Sequence, residues 1–402
     1  MQDAQATLFI AEEPFLPPGN GSSQVYLSVA ENHRRRGGKS FCICFYKDAD
    51  HALSAEVWAA YAQRFDGHLM LPGWNGGGGL RGKAGLAWRE ARRWITGDVF
   101  SGHPFLHTKR RGVAEELASL IRHWQVQRVY CHKVNALQMF APVLDRLPGL
   151  PVTLDLHDDF VRKAADYDHA YARLFHELPA GLIAQQHGFA WLRHRFRRAR
   201  EDRSRAVELR FLNRCEEVVI ASDEEAERYA SFPELRQRVV HRPWHYLKPV
   251  VRPPSGTARF DIGFIGSEDV MNLDAVAFLR DEILPLLRRQ KPDVTVLLAG
   301  TLAEKARPMV ESVPEIHIRP HTRDVGEFYA DIAVPVVPLR FGTGVSIKVL
   351  EAMAFGKPIV STRIGVRGLP HDAVRGIDVA DAPDSFAEAV LRRLRPVATA
   401  PE

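Results

Sequence analysis

The sequence predicts an α/β protein made of two parallel-sheet domains in tandem. Three observations predict it. Short apolar runs alternate with segments of helical period along most of the chain, and such alternation folds as strand-helix-strand units around a parallel sheet. The alternation halts in a stretch carrying Pro243, Pro249, Pro253 and Pro254, then restarts. The 402 residues also exceed one ordinary core, at roughly 100–200 residues per domain.

The elements follow in order. "ATLFIAEE" reads as a first strand and "PFLPPGNGSS" as a loop. "SQVYLSVAENHRRRGG" reads as a helix ending near Gly37, and "SFCICFY" as a strand. "VQRVYCH" and "PVTLDLHDD" are strands, each preceded by a helix-like segment. Tyr167 to Arg214 is long, Arg-rich and helical in period. "EVVIASDEEAERYA" gives strand, loop and helix, with Ser222 as the N-cap. "HRPWHYLKPVVRPPSGT" fits an interdomain linker. Beyond it, "RFDIGFIGS" is a strand and turn, and "NLDAVAFLRDEILPLLRRQKP" is one helix. "VTVLLAG" and "EIHIRPH" are strands, and "DVGEFYADIAVPVVPL" is a helix then a strand. "GVSIKVLEAMAFG" is a helix, "KPIVST" a strand and "SFAEAVLRRLRPV" a closing helix.

The boundaries are therefore 1–245 for an N-terminal Rossmann-like domain, 246–256 for the linker and 257–385 for a C-terminal Rossmann-like domain. Residues 386–402 form a helix and tail that return to the N-terminal domain. Ligands of such sheets bind at the carboxyl ends of the strands, here in a central cleft between facing domains.

Composition narrows the function. With 46% hydrophobic and 26% charged residues the chain is that of a globular protein. No apolar run approaches the ~18 residues of a membrane helix. An acid precedes the first apolar run and no basic segment leads it, so no secretory leader is expected. Cys42, Cys44, Cys131 and Cys215 lack metal-binding spacing. They read as buried thiols of a reducing cytoplasm, with Cys42 and Cys44 on one face of a strand. A net charge of +5 does not point to a nucleic-acid partner.

The most informative stretch is "FGTGVSIKVLEAMAFGKPIVST", residues 341–362. It reads as a glycine turn opening a helix that carries Lys348 and Glu351. A helix N-terminus presents unpaired amides and the positive end of the dipole. Gly342 and Gly344 let an anion approach, so a phosphate is stabilised there. Lys348 adds a point charge. Glu351, three residues on, shares its helical face and can accept hydrogen bonds from ribose hydroxyls. A surface ion pair of Lys348 with Glu351, at about 0–1 kcal/mol, is the plainer reading.

"GTGVSIKVLEAMAFGKPIVSTRIGVRGL" resembles the donor-site segment of GT-B glycosyltransferases, family 4 in particular. "FIGSEDVMNLDAVAFLRDEILPLLRRQKPDVTVLLAG", "CEEVVIASDEEAERY" and "PPGNGSSQVYLSVAENHRRRGG" are similar to other segments of that family, in its order. The resemblance implies two facing Rossmann-like domains and metal-independent transfer of a sugar from a nucleotide-diphosphate donor, with retention. It maps Glu351 onto the family's ribose-binding Glu. The first Glu of the family's paired motif is Thr343 here, so donor-sugar contacts fall to Thr343, Gly344 and Val345. The family's cation pair in the first loop of the C-terminal domain is not evident in "GSEDVMN", which begins at the donor-side candidate Gly266 and leaves Lys348 to neutralise the diphosphate.

On the N-terminal side the resemblance maps Gly21 to a phosphate- or sugar-facing loop and His157 to a catalytic His at the cleft. Asn20, Trp74 and Asp158 are acceptor-side candidates. Plainer readings are a turn for Gly19 and Gly21, and for His157 a strand-end His followed by a helix cap. Asp48 and Asp50 mimic a metal-binding signature, yet the tandem pattern argues against a metal. "GWNGGGGLRGK", residues 73–83, lacks a P-loop ending. "WLRHRFRRAREDRSRAVELRF" reads as a solvated helix, with contact to an anionic membrane surface as the alternative.

The expectation is thus a cytoplasmic glycosyltransferase, peripheral at most to the inner membrane face, acting in bacterial-type glycan or glycoconjugate synthesis. Its partners are a nucleotide-sugar donor and a glycan, lipid-linked or protein acceptor, with no cofactor. The competing classes are a nucleotide-sugar 2-epimerase and a noncatalytic binding or assembly protein on the same scaffold.

Overall fold

Two sheets form, and every strand pair in them is parallel. The computed structural model describes residues 5–16, 21–47, 54–74, 112–174, 197–243, 258–320 and 325–395. The chain divides into one unit of residues 1–161 and 197–244 and another of 162–196 and 245–402. The linker expected at 246–256 and the acidic pair Asp48 and Asp50 lie outside the described residues.

The first unit holds β1 (Thr7–Ala11), β2 (Ser40–Lys47), β3 (Gly67–Trp74), β4 (Arg128–His132), β5 (Val152–Asp155), β6 (Glu217–Ile220) and β7 (Arg238–His241). Their order is β3-β2-β1-β4-β5-β6-β7. β1 is buried along its whole length, as near-continuous apolar strands of a covered parallel sheet are. The connections carry α1 (Gly21–Arg35), α2 (Ala55–Ala62), α3 (Val113–His123), α4 (Val134–Leu144), α5 (Phe160–Arg173), which from Arg162 onward belongs to the second unit, α6 (Arg197–Leu212) and α7 (Asp223–Ala230). Ser222 caps α7 as expected, its hydroxyl accepting from the Glu225 amide at 3.4 Å. Cys42 and Cys44 are buried on one face of β2, Sγ to Sγ 3.5 Å, and all four cysteines are free.

α6 departs from the solvated helix its arginines suggest. Arg205 donates to both oxygens of buried Asp159 at 2.7 and 2.8 Å and to the Tyr229 hydroxyl at 2.6 Å. It also donates to Glu208, which is fully buried. Asp159 and Tyr229 come from outside α6, so the sequence of the helix alone does not show this polar seam.

The second unit holds β8 (Phe260–Ile265), β9 (Val296–Ala299), β10 (Ile316–Arg319), β11 (Ile332–Val337), β12 (Val360–Ser361) and β13 (Asp378–Val379). Their order is β10-β9-β8-β11-β12-β13. Its helices are α8 (Val270–Phe278), α9 (Leu284–Gln290), α10 (Thr301–Val310), α11 (Val325–Asp331), α12 (Ile347–Ala354), α13 (His371–Val374) and α14 (Pro383–Leu394). The single helix expected over 272–292 is divided by a π-helical turn, Leu279–Ile283. Pro285 has no amide to donate to the preceding turn, and a widened turn absorbs the loss. The closing helix α14 packs on α9 and on β11 and β12 of its own unit.

Candidate functional site

In the second unit the strand order reverses between β8 and β11, and ligands of open α/β sheets bind outside the carboxyl ends at such a point. The chain leaves β11 and enters the turn Gly342 to Ser346, all of it buried. Gly342 and Gly344 adopt φ of 151° and 68°, where a side chain is strained. A Cβ on Gly342 would also stand 2.9 Å from the guanidinium carbon of Arg367.

α12 starts from this turn with no acidic residue in its first turn and no side-chain cap. Its N-cap, Ser346, is 4% exposed, and the hydroxyl has no hydrogen-bond partner. Of the first-turn amides, that of Val349 donates to the Ser346 carbonyl at 3.2 Å, while those of Ile347 and Lys348 fall at positions with no intrahelical acceptor. A buried orphan hydroxyl beside the opening amides, at the positive end of a helix, is an arrangement that suits an anion.

Two cations lie at this turn. Lys348 is partly buried and reaches toward the end of β8. A Cβ on Gly266 would lie 3.3 Å from Lys348 Cε, so the glycine there leaves room for the lysine stem. The ammonium sits 5.9 Å from the centre of the Phe264 ring. Arg367 donates to the carbonyls of Thr343 at 2.6 Å and Ile364 at 2.7 Å. Burial, and after it Arg367, push the Lys348 ammonium down to about 8, with Lys163 adding to the effect and Asp269 and Glu351 opposing it. Two like charges held together in partial burial are relieved by a bound anion.

The sign of this shift gives a pH prediction. The folded value lies below the ordinary 10.5, so the unfolded chain binds more protons between about 8 and 10.5. The contribution of this group to stability therefore grows as pH rises through that window. Anion binding runs the other way, because Lys348 loses its charge as pH rises through about 8. Calorimetry with UDP and GDP should show affinity weakening above that point in the wild type. The Lys348→Arg variant, charged throughout, should lose the decline. An equal decline in both would assign it to another group.

Glu351 is partly buried on α12, one turn beyond Lys348 on the same face. Asp269 caps α8, accepting from the Met271 amide at 3.1 Å, and takes a hydrogen bond from Tyr167.

Residues 259–395 match the family model of glycosyl transferases group 1. The second unit carries a glycosyl transferases group 1 domain. No curated protein matches the sequence. Solved structures share the fold across nearly the whole chain. Sucrose-phosphate synthase of Thermosynechococcus elongatus is 13% identical with a TM-score of 0.59, over 97% of this chain and 90% of that one. HepE of Anabaena, solved with UDP and glucose, is 12% identical with a TM-score of 0.57, over 96% and 89%. A glycosyltransferase of Rickettsia africae is 11% identical with a TM-score of 0.57, over 97% and 88%. The fold is GT-B. Among the described residues, no helix is long and apolar enough to cross a membrane.

The group 1 domain therefore gathers Gly266, Gly342, Thr343, Gly344, Val345 and Lys348 at its switch point, with Glu351 one turn on. It adds Ser346 and Arg367, which sequence reasoning missed. Ser346 lay within the glycine stretch, where its place just ahead of the helix was the signal. Arg367 lies 24 residues from Thr343, and no local pattern marks it. It supplies a second cation that "GSEDVMN" does not.

In the first unit Gly21 opens α1 and Trp74 closes β3, while Asn20 is outside the described residues. His157 and Asp158 follow β5. His157 is 2% exposed beneath the Tyr26 ring, with ring centres 4.8 Å apart. Asp158 is partly buried beside Asp159.

Proposed function

We propose that the chain transfers a sugar from a nucleoside-diphosphate sugar to a hydroxyl acceptor, with retention and without a metal in the chemical step. The observation that carries this reading is the buried turn Gly342 to Ser346, with an orphan serine hydroxyl, an uncapped helix start and the Lys348 and Arg367 cations around it. This set of donors matches a diphosphate in charge. Glu351 then accepts hydrogen bonds from the ribose. As the sugar bond breaks, charge grows on the leaving oxygen, and preorganised donors stabilise it. Retention rests on the resemblance to family 4 enzymes. That HepE was solved with UDP and glucose supports a uridine donor as the first to test.

Glu351→Ala should weaken binding of whichever nucleotide the wild type takes, with the fold intact. Unchanged affinity in calorimetry with UDP and GDP would remove the ribose role. Transfer should continue in excess EDTA, because the phosphate site is built from amides and side-chain cations. Loss of transfer restored by Mn²⁺ or Mg²⁺ would overturn the metal-free step. A 2-epimerase would interconvert two nucleotide sugars, and a binding protein would neither hydrolyse nor transfer, so product analysis separates the three.

A further inference from the structure

Three side chains of the first unit converge on one point at the carboxyl ends of β4 and β5. His132 closes β4, Asp155 closes β5 and His157 follows it, each at most 2% exposed. His132 Nδ1 lies 3.2 Å from His157 Nε2 and 3.7 Å from Asp155 Oδ2. His157 Nε2 lies 3.6 Å from the same oxygen. Both carboxylate distances are too long for hydrogen bonds. A point equidistant from three atoms so spaced lies about 2.0 Å from each, which matches zinc bonds of about 2.0–2.2 Å to imidazole and carboxylate.

We infer that His132, Asp155 and His157 bind one divalent transition-metal ion, with Zn²⁺ the best match to the donor set. Two imidazoles and one carboxylate suit zinc and its neighbours, while calcium and magnesium take oxygen ligands. The surroundings fit as well. Asp155 Oδ1 is buried without a hydrogen-bond partner, so the carboxylate has a second oxygen to offer the ion. Asp155 Oδ2 accepts from the Tyr130 hydroxyl at 3.2 Å, and that hydroxyl accepts from Arg242 at 3.2 Å. Such outer hydrogen bonds orient a ligating carboxylate. The Tyr26 ring covers the site, 4.1 Å from the His132 ring centre. Lys133, the nearest cation in sequence, is held by Glu12 at 2.6 Å and Glu13 at 3.6 Å. The ligands sum to one negative charge, so the bound divalent ion leaves the site at a net +1, as two-His, one-carboxylate zinc sites do. The ion ties the segment after β5 to the end of β4. It takes no part in sugar transfer, and it gives His157 a ligand's role in place of the acceptor contact.

The test uses the full chain, stripped with chelator and titrated with Zn²⁺ and Co²⁺. One equivalent should bind, Co²⁺ should give the visible absorption of a low-coordinate site, and thermal stability should rise. X-ray absorption of the Zn²⁺-loaded wild type should read two imidazoles and a carboxylate. His132→Ala and Asp155→Asn should each weaken Zn²⁺ by at least about 100-fold, and Tyr130→Phe by about 10–100-fold. No stoichiometric binding to the wild type, or binding equal in the His132→Ala variant, overturns the inference. The wild-type spectra decide even where a variant fails to fold. A chelator effect on transfer reversed by one equivalent of Zn²⁺ alone traces to this site, whereas dependence on Mg²⁺ or Mn²⁺ traces to the donor site.

Discussion

Replacing Lys348 with Ala lowers turnover by about 10²–10³-fold, on the order of 2.7–4 kcal/mol, and weakens donor binding by less. A diphosphate is charged before reaction, so the lysine contributes to binding. The leaving oxygen gains charge as the sugar bond breaks, and only the excess interaction in the transition state speeds that step. The position of the ammonium supports this weighting. It belongs to the first turn of α12, next to the uncapped N-terminus, and its stem crosses toward Gly266. Arg367 stays in the variant, anchored on the carbonyls of Thr343 and Ile364, so residual binding is expected. Single-turnover kinetics at saturating donor separates the two effects. Wild-type turnover with a stability change of a few tenths of a kcal/mol, as at an exposed position, would return Lys348 to a surface pairing.

Asp274→Ala destabilises the second unit by about 3–5 kcal/mol, the cost of removing one member of a buried ion pair. Asp274 is fully buried on α8. Its two oxygens each accept from Arg340 at 3.0 Å, and Arg173 pairs with it as well. Arg340 lies 4.7 Å over the Phe278 ring and stands two residues before Gly342, so the pair fixes the start of the glycine turn. Loss of the carboxylate leaves the partly buried Arg340 guanidinium with Glu282, at 2.9 Å, as its remaining carboxylate partner and the turn less held. Denaturant unfolding measures the first effect and nucleotide affinity the second. The double variant Asp274→Leu with Arg340→Met should recover much of the stability, since well-packed apolar pairs often replace buried ion pairs. A single variant as stable as the wild type would show that the pair is dispensable.

Local signals carried much of this molecule. The apolar run of β1, the cap at Ser222 and the glycine turn before α12 are each written within a few residues. α2 and β3 were absent from the sequence reading for a physical reason. β3 is an edge strand, and there Pro72 is tolerated, so its sequence looks like a loop. The π-helical turn before α9 was missed because Pro285 widens a helix without ending it. Contacts between distant residues left no trace at all. Arg205 finds Asp159 46 residues away, and His132 finds His157 25 residues away. Lys348 and Glu351 were legible because a helix sets their spacing. Arg367 was not, because only the folded turn brings it to Thr343.

The central claim is that the turn and helix at Gly342 to Glu351 bind and activate a nucleoside-diphosphate sugar. A panel of nucleotide sugars, each tested for thermal stabilisation and for slow release of the nucleoside diphosphate, addresses it most directly. One nucleotide class should stabilise the wild type, and one sugar of that class should be hydrolysed with its anomeric configuration retained by NMR. Both effects should weaken in the Lys348→Ala and Glu351→Ala variants. A wild-type protein that neither binds nor hydrolyses any member of the panel, or one that binds equally well without Lys348 and Glu351, would contradict the claim.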